Sequence, residues 1–343
     1  MMEQLSPEER QQVAEQQQRM AKGMADLGHL VTKLKPSDSD PDAVVGIDKV
    51  ILALASTPAM KQLGADEAAL LGPSIPGDQA KEALSKVEDK LEALKAFPVD
   101  SLNGLPECEW RNAVLLYWHM WKPGLDEFAA TLPGEVDHWR GGANQIAIGL
   151  LVKAQMLMPQ QRWVQVTIGV AKLSALMATA LWSHDEPACL EKMSAILAED
   201  GLSPPKLALT AKATPREANS DSSEVTAGQH VLVSVELTRE HAAAADSVVQ
   251  PPCNNPQGIY EAYWLYIEGL KPEGTPNSLI VAKPMVCNDV KQGVIAAEAV
   301  FQAPPKTGEY KLRVHVTSTS VIGINLTKDV AFTVVEDDVP DLE

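Results

Sequence analysis

The residues best able to do chemistry lie in a few short runs. His184-Asp185-Glu186 sets an imidazole beside two carboxylates, the side chains of general acid–base catalysis. Neighbours in sequence rarely converge on one substrate atom, so a polar helix end is the favoured reading. Asp137-His138-Trp139-Arg140, followed by Gly141-Gly142, could form an anion loop feeding the N-terminus of the next helix. A helix junction using the freedom of glycine is the preferred alternative. Lys311, Arg313 and His315 alternate along one stretch and so share one face, which could grip an acidic partner segment. A solvated strand face is the simpler reading, because the intervening residues are cleanly apolar. At the C-terminus, Glu336, Asp337, Asp338, Asp341 and Glu343 concentrate acid where a basic partner could bind, and a purely solvated tail is an equal alternative.

Other chemistry finds little footing, so no catalytic residue, metal ligand or cofactor is assigned. Cys108, Cys189, Cys253 and Cys287 lie far apart without CxxC pairing and read as reduced thiols. The phosphate-loop, dinucleotide, zincin and serine-hydrolase signatures are absent. A formal net charge of -17 repels polyphosphate and makes nucleic acid a poor first partner. The sequon Asn325-Leu326-Thr327 is discounted because the polar N-terminus lacks the apolar core of a signal peptide. No membrane span is expected, since the apolar stretch Val164–Trp182 is interrupted by Lys172.

The elements that would position these residues follow from periodicity. Ser6 and Glu9 have capping-box spacing and open a helix to Leu34 whose thin apolar face should dock weakly or not at all. Lys35–Asp42 is rich in turn formers and marks a first boundary. From Ala43 to Gly201 apolar residues recur at helical spacing, including Val44, Ile47, Ile51 and Leu54, then Leu84, Val87, Leu91 and Leu94. Stronger helices are expected through Trp110–Trp121, Ala143–Met158 and Val164–Trp182. Trp110, Tyr117, Trp118 and Trp121 share one broad face, read as packing, with His119 off it.

After Ser203-Pro204-Pro205 the period shifts to two. Val231, Val233, Val235 and Leu237 form one alternating set, and Tyr310, Leu312, Val314 and Val316 another. With Leu207–Ala211, Tyr263–Ile267, Leu279–Lys283, Ile295–Phe301 and Val330–Val334 they make about seven strands, as in an immunoglobulin or fibronectin type III sandwich. Tyr310 follows a tight turn, as a tyrosine corner requires. The expected class is multidomain α + β: helix and linker 1–40, helical bundle 41–203, immunoglobulin-like sandwich 204–336 and acidic tail 337–343.

Several landmarks occur in an order shared with a known family. Asn112–Met120 is similar to a helix with the core VLLL.H, and Val170–Trp182 to one reading LSQMVVQALW. Val225-Thr226-Ala227-Gly228 and Val231–Arg239 resemble that family's first sandwich strands, ending in LTR. Trp264-Leu265-Tyr266-Ile267, Leu279-Ile280, Phe301-Gln302-Ala303-Pro304 and Gly308-Glu309-Tyr310 resemble its WLYI, LI, F.AP and G.Y landmarks. Ile322-Gly323-Ile324-Asn325 stands where the family has MGLD. The family is the cytosolic Sec sixty-three homology region of the endoplasmic reticulum J-domain translocon subunit.

The resemblance covers roughly the last two-thirds of the chain and single motifs in it are weak, their order being the stronger signal. It implies a non-catalytic scaffold for post-translational protein translocation, on the cytosolic side of the endoplasmic reticulum membrane. Its sandwich would contact channel loops, and its acidic tail would engage the basic accessory subunit Sec sixty-two. No His-Pro-Asp tripeptide is present, so stimulation of an Hsp70 is not expected, and the helix-hairpin-helix piece is trimmed to a link around Met193–Pro205. The same bundle and sandwich follow the motor of Ski-two-like RNA helicases, which makes a helicase-associated regulatory cassette the alternative. A small enzyme built on His184 is a third.

Overall fold

Helical spacing gives way to strand alternation along the chain, and the computed structural model has both, in an α + β protein. It describes residues 7–63, 77–93, 101–179, 191, 194–195, 198, 205–217, 222–244, 261–287, 289 and 292–336. Two compact units result, Met1–Lys35 with Val45–Met158, and Pro36–Val44 with Pro159–Glu343.

The first unit is helical: α1 (Pro7–Leu34), α2 (Ile47–Ala55), α3 (Pro58–Gln62), α4 (Gly77–Ala93), α5 (Glu107–Met120), α6 (Lys122–Ala129) and α7 (Gly134–Leu157). Contrary to expectation, α1 docks through its C-terminal half. Leu27, Leu30 and Leu34 are buried there, and buried Asp26 accepts a 2.8 Å hydrogen bond from the Ala59 amide at the start of α3. Asn112 is fully buried on α5 and its amide donates to the carbonyls of Ala55 (3.0 Å) and Met60 (2.9 Å). It thereby satisfies the Ala55 carbonyl at the end of α2 and adds a second bond to the Met60 carbonyl of α3, which already accepts from the Leu63 amide (3.1 Å). Tyr117 and Trp118 are buried with it, as their shared face required, and the Tyr117 hydroxyl donates to Asp48 (2.8 Å).

The Asp137–Gly142 run is neither a loop nor a junction, for it lies inside α7. Asp137 and Arg140 are one turn apart and ion-paired at 2.7 Å, which orients the guanidinium over the Trp118 ring at 5.3 Å. The helix runs on unbroken through the two glycines, with Val136, Trp139, Ala143 and Ala147 buried along it.

The second unit holds α8 (Val164–Thr179), β1 (Leu207–Pro215), β2 (Glu224–Thr226), β3 (His230–Arg239), β4 (Glu261–Leu270), β5 (Ser278–Cys287), β6 (Val294–Gln302), β7 (Gly308–Ser318) and β8 (Asn325–Val335). The strands make a three-stranded sheet, β1-β3-β6, and a five-stranded one, β2-β8-β7-β4-β5. All pairings are antiparallel except β2 with β8. The alternating residues Val231, Val233, Val235 and Leu237 of β3, and Leu312, Val314 and Val316 of β7, are buried. Phe301 of β6 meets Phe332 of β8 edge to face at 6.1 Å, tying the two sheets across their apolar faces. The β2–β3 turn needs glycine: Gly228 has φ +80° inside a turn closed by the Gln229 amide on the Thr226 carbonyl.

The expected division at residue 203 is corrected by α8. This helix groups with the strands, and its Val164, Ile168 and Ala171 pack on Tyr266 and Leu279, with Trp264 and Ala282 beside them. Trp264, Tyr266 and Glu268 alternate with the core-facing residues of β4, so they occupy the outer face of the five-stranded sheet. A helix on that face buries apolar area that the strand pattern alone leaves in water. The chain enters α8 through Arg162, whose φ of 60° is unusual for a non-glycine residue, and the Arg162 carbonyl accepts from the Leu279 amide of β5 (3.3 Å). Among the described residues no helix is long and apolar enough to cross a membrane.

Candidate functional site

The outer face of the five-stranded sheet carries a groove of about 570 Å³, lined by Val44, Gln165 and Lys172 on one side and by Arg313, His315 and Lys328 among the strand residues. Cross-strand register creates much of its chemistry. Arg313 lies opposite Asp329, and the two form a forked ion pair at 2.8 and 3.0 Å. That hydrogen bond holds the Asp329 carboxyl below its usual range and raises the guanidinium.

His315 lies opposite Tyr266 and is 5% exposed, which corrects its expected place on a solvated face. Its Nε2 donates to Glu268 at 2.8 Å, and Glu268 also accepts from the Asn277 amide group (2.9 Å). The Asn277 backbone amide in turn donates to Asp42 (3.0 Å). The imidazole is thus fixed by a buried carboxylate, while its Nδ1 and the Tyr266 hydroxyl have no hydrogen-bond partner among the described residues. Burial drives the Tyr266 hydroxyl far above its ordinary value, so it stays neutral.

Of the residues singled out in the sequence, Arg313 and His315 therefore come together in the groove. Lys311 is not in its lining and sits 3.9 Å from Glu309 in an exposed pair. Glu336 is exposed, and Asp337, Asp338, Asp341 and Glu343 lie outside the described residues, as do the His184-Asp185-Glu186 run, Cys189 and Cys253. Among the described residues no group of three or more His, Cys, Asp or Glu side chains could hold a metal ion.

A second polar cluster escaped the sequence reading. Glu261, fully buried at the start of β4, accepts from Arg239 through both carboxylate oxygens (2.9 and 2.8 Å), from Tyr263 (2.7 Å) and from His241 (2.7 Å). Arg239 also donates to the Gln292 carbonyl. His241 Nδ1 lies 3.2 Å from the Lys206 amide nitrogen and 3.1 Å from its carbonyl oxygen, so either protonation state finds a partner. Burial pushes the Glu261 carboxyl up, but the bonds from Arg239, Tyr263 and His241 prevail and hold it below the ordinary carboxylate range. Only 2% of Arg239 is exposed. The cluster fixes the ends of β3 and β4 and the start of β1, which makes it a structural clamp. Its one signal in the sequence was Arg239, the charged residue that closes the apolar alternation of β3.

No family model and no curated protein matches the sequence. Among solved structures, the chain is similar to a beta-glucosidase from Listeria innocua in complex with glucose, at 12% identity and a TM-score of 0.20 over 38% of this chain and 16% of that one. It is also similar to the Pseudomonas fluorescens alkylpurine DNA glycosylase AlkC bound to DNA containing an abasic site analog, at 10% identity and a TM-score of 0.23 over 81% of this chain and 100% of that one. The chain thus spans less than a fifth of the glucosidase, and likenesses this low carry no argument about fold or chemistry.

Proposed function

We propose that this chain is a non-catalytic docking unit of the Sec sixty-three kind, serving post-translational translocation on the cytosolic side of the endoplasmic reticulum. The observation carrying the docking reading is the groove itself: Lys172, Lys328 and the Asp329-paired Arg313 gather beside a clamped imidazole in a protein of net charge -17. Such a local reversal of sign selects an acidic partner segment and steers its approach.

The family reading draws on the folded positions of the landmarks. Trp264-Leu265-Tyr266-Ile267 forms the strand beneath α8, and the Tyr310 hydroxyl donates to the Lys306 carbonyl (2.8 Å) in the manner of a tyrosine corner. Strand order β1-β3-β6 against β2-β8-β7-β4-β5, with β2 parallel to β8, supports an immunoglobulin-like sandwich, and the helical unit is read as the accompanying bundle. The sandwich would meet channel loops, and the acidic tail a basic accessory subunit.

The test is co-purification of the tagged chain with channel subunits from detergent-solubilised endoplasmic reticulum. Wild type should recover them, and Arg313→Gln with Lys328→Gln should lose them while melting within about 5 °C of wild type, the small shift expected from losing the exposed pair with Asp329. Failure of wild type to recover any channel subunit would overturn the proposal, and salt-sensitive RNA binding would favour the helicase-associated alternative.

A further inference from the structure

The helical unit holds a separate pocket of about 390 Å³, lined by Lys33, Lys49, Leu52, Ala53, Ala55, Ser56, Leu105 and Glu109. Its apolar part comes from Leu52 and buried Ala53 and Ala55 of α2, with Leu105 just before α5. The polar groups in the wall are engaged. Ser56 Oγ lies 2.8 Å from His29 Nε2 and 3.0 Å from the Ala53 carbonyl, and Glu109 is neutralised by Lys61 at 2.9 Å.

Lys33 and Lys49 differ: both are exposed, and neither side-chain ammonium has a hydrogen-bond or ion-pair partner among the described residues. Burial first, then the charges of Lys33 and Lys61, hold the His29 imidazole below its usual range. An aliphatic recess flanked by two unpaired ammonium groups, in an otherwise strongly acidic chain, complements an aliphatic side chain flanked by carboxylates.

We propose that this pocket binds an acidic peptide segment of a partner protein, with one leucine-like side chain in the recess and adjacent carboxylates on Lys33 and Lys49. The site lies in the helical unit and is independent of the groove near Arg313.

Fluorescence anisotropy with the full chain and a fluorescein-labelled synthetic peptide, acetyl-EEDLEDE-amide, tests it. Wild type should bind, more weakly as salt rises. Lys33→Glu with Lys49→Glu should weaken binding about tenfold or more, and replacing the peptide's leucine by serine should weaken it similarly. Arg313→Glu should leave it unchanged. Thermal melting checks the fold of each variant, with Lys33→Gln and Lys49→Gln as the milder pair. Equal affinity for the variant, or indifference to the leucine, would reduce the effect to diffuse surface attraction and overturn the proposal. Absence of peptide binding overturns it too, whether accompanied by Lys33-dependent self-association, which would assign the pocket to a second copy, or by Lys33-dependent capture of anionic phosphatidylserine vesicles, which would assign it to lipid.

Discussion

At the scale of the residue, similar pairs of charges have different consequences because burial differs. Glu261 and Arg239 are out of water, so Glu261→Gln strands a buried guanidinium and should cost about 3–5 kcal/mol, measured by urea denaturation at neutral pH. The folded carboxyl of Glu261 lies below its unfolded value, so its stabilisation is complete above the unfolded carboxylate pKa of about 4.3. It is lost as pH falls through the folded value. Stability measured down the acid limb should therefore fall less steeply in Glu261→Gln than in wild type. Arg313 and Asp329 are partly solvated at 42% and 58% side-chain exposure, where water screens the attraction. Arg313→Ala should accordingly cost no more than about 1 kcal/mol, and a circular-dichroism melt separates that small loss from any loss of binding.

Elements obey their local periods but take their neighbours from the whole chain. Alternation read in the sequence located β3 and β7, because one buried face demands a period of two, and among the described residues the other long strands overlap the short apolar runs read as strands. It passed over β2, whose three residues are too short to show a period and exist through pairing with β8. The DHWRGG run misled for the opposite reason, since two glycines weaken a helix locally while tertiary packing of Val136, Trp139, Ala143 and Ala147 sustains α7 through them. Ile168→Ala in α8 should cost about 2–4 kcal/mol in chemical denaturation, as it removes buried volume over Tyr266 and Leu279. Tyr310→Phe, which deletes only the hydroxyl bond to Lys306, should cost about 0.5–1.5 kcal/mol in the same assay.

For the molecule as a whole, the main consequence is that the strand region needs α8. A fragment of residues 204–343 lacks the helix that covers Tyr266 and Leu279, and should bind the hydrophobic dye ANS far more strongly than residues 159–343, an outcome read directly by dye fluorescence. The sequence by itself determined the helix-to-strand order, the inward faces of β3 and β7, and the placing of Arg313 and His315 on one side of a strand. Those are properties of period, and period is local. Only the tertiary structure decided that α8 belongs with the strands, that His315 is clamped by Glu268 under cover, and that Arg239, His241 and Glu261 converge. A face has no fixed environment until something packs on it or leaves it open, and residues 22 apart in the chain meet only when two strand ends are brought together.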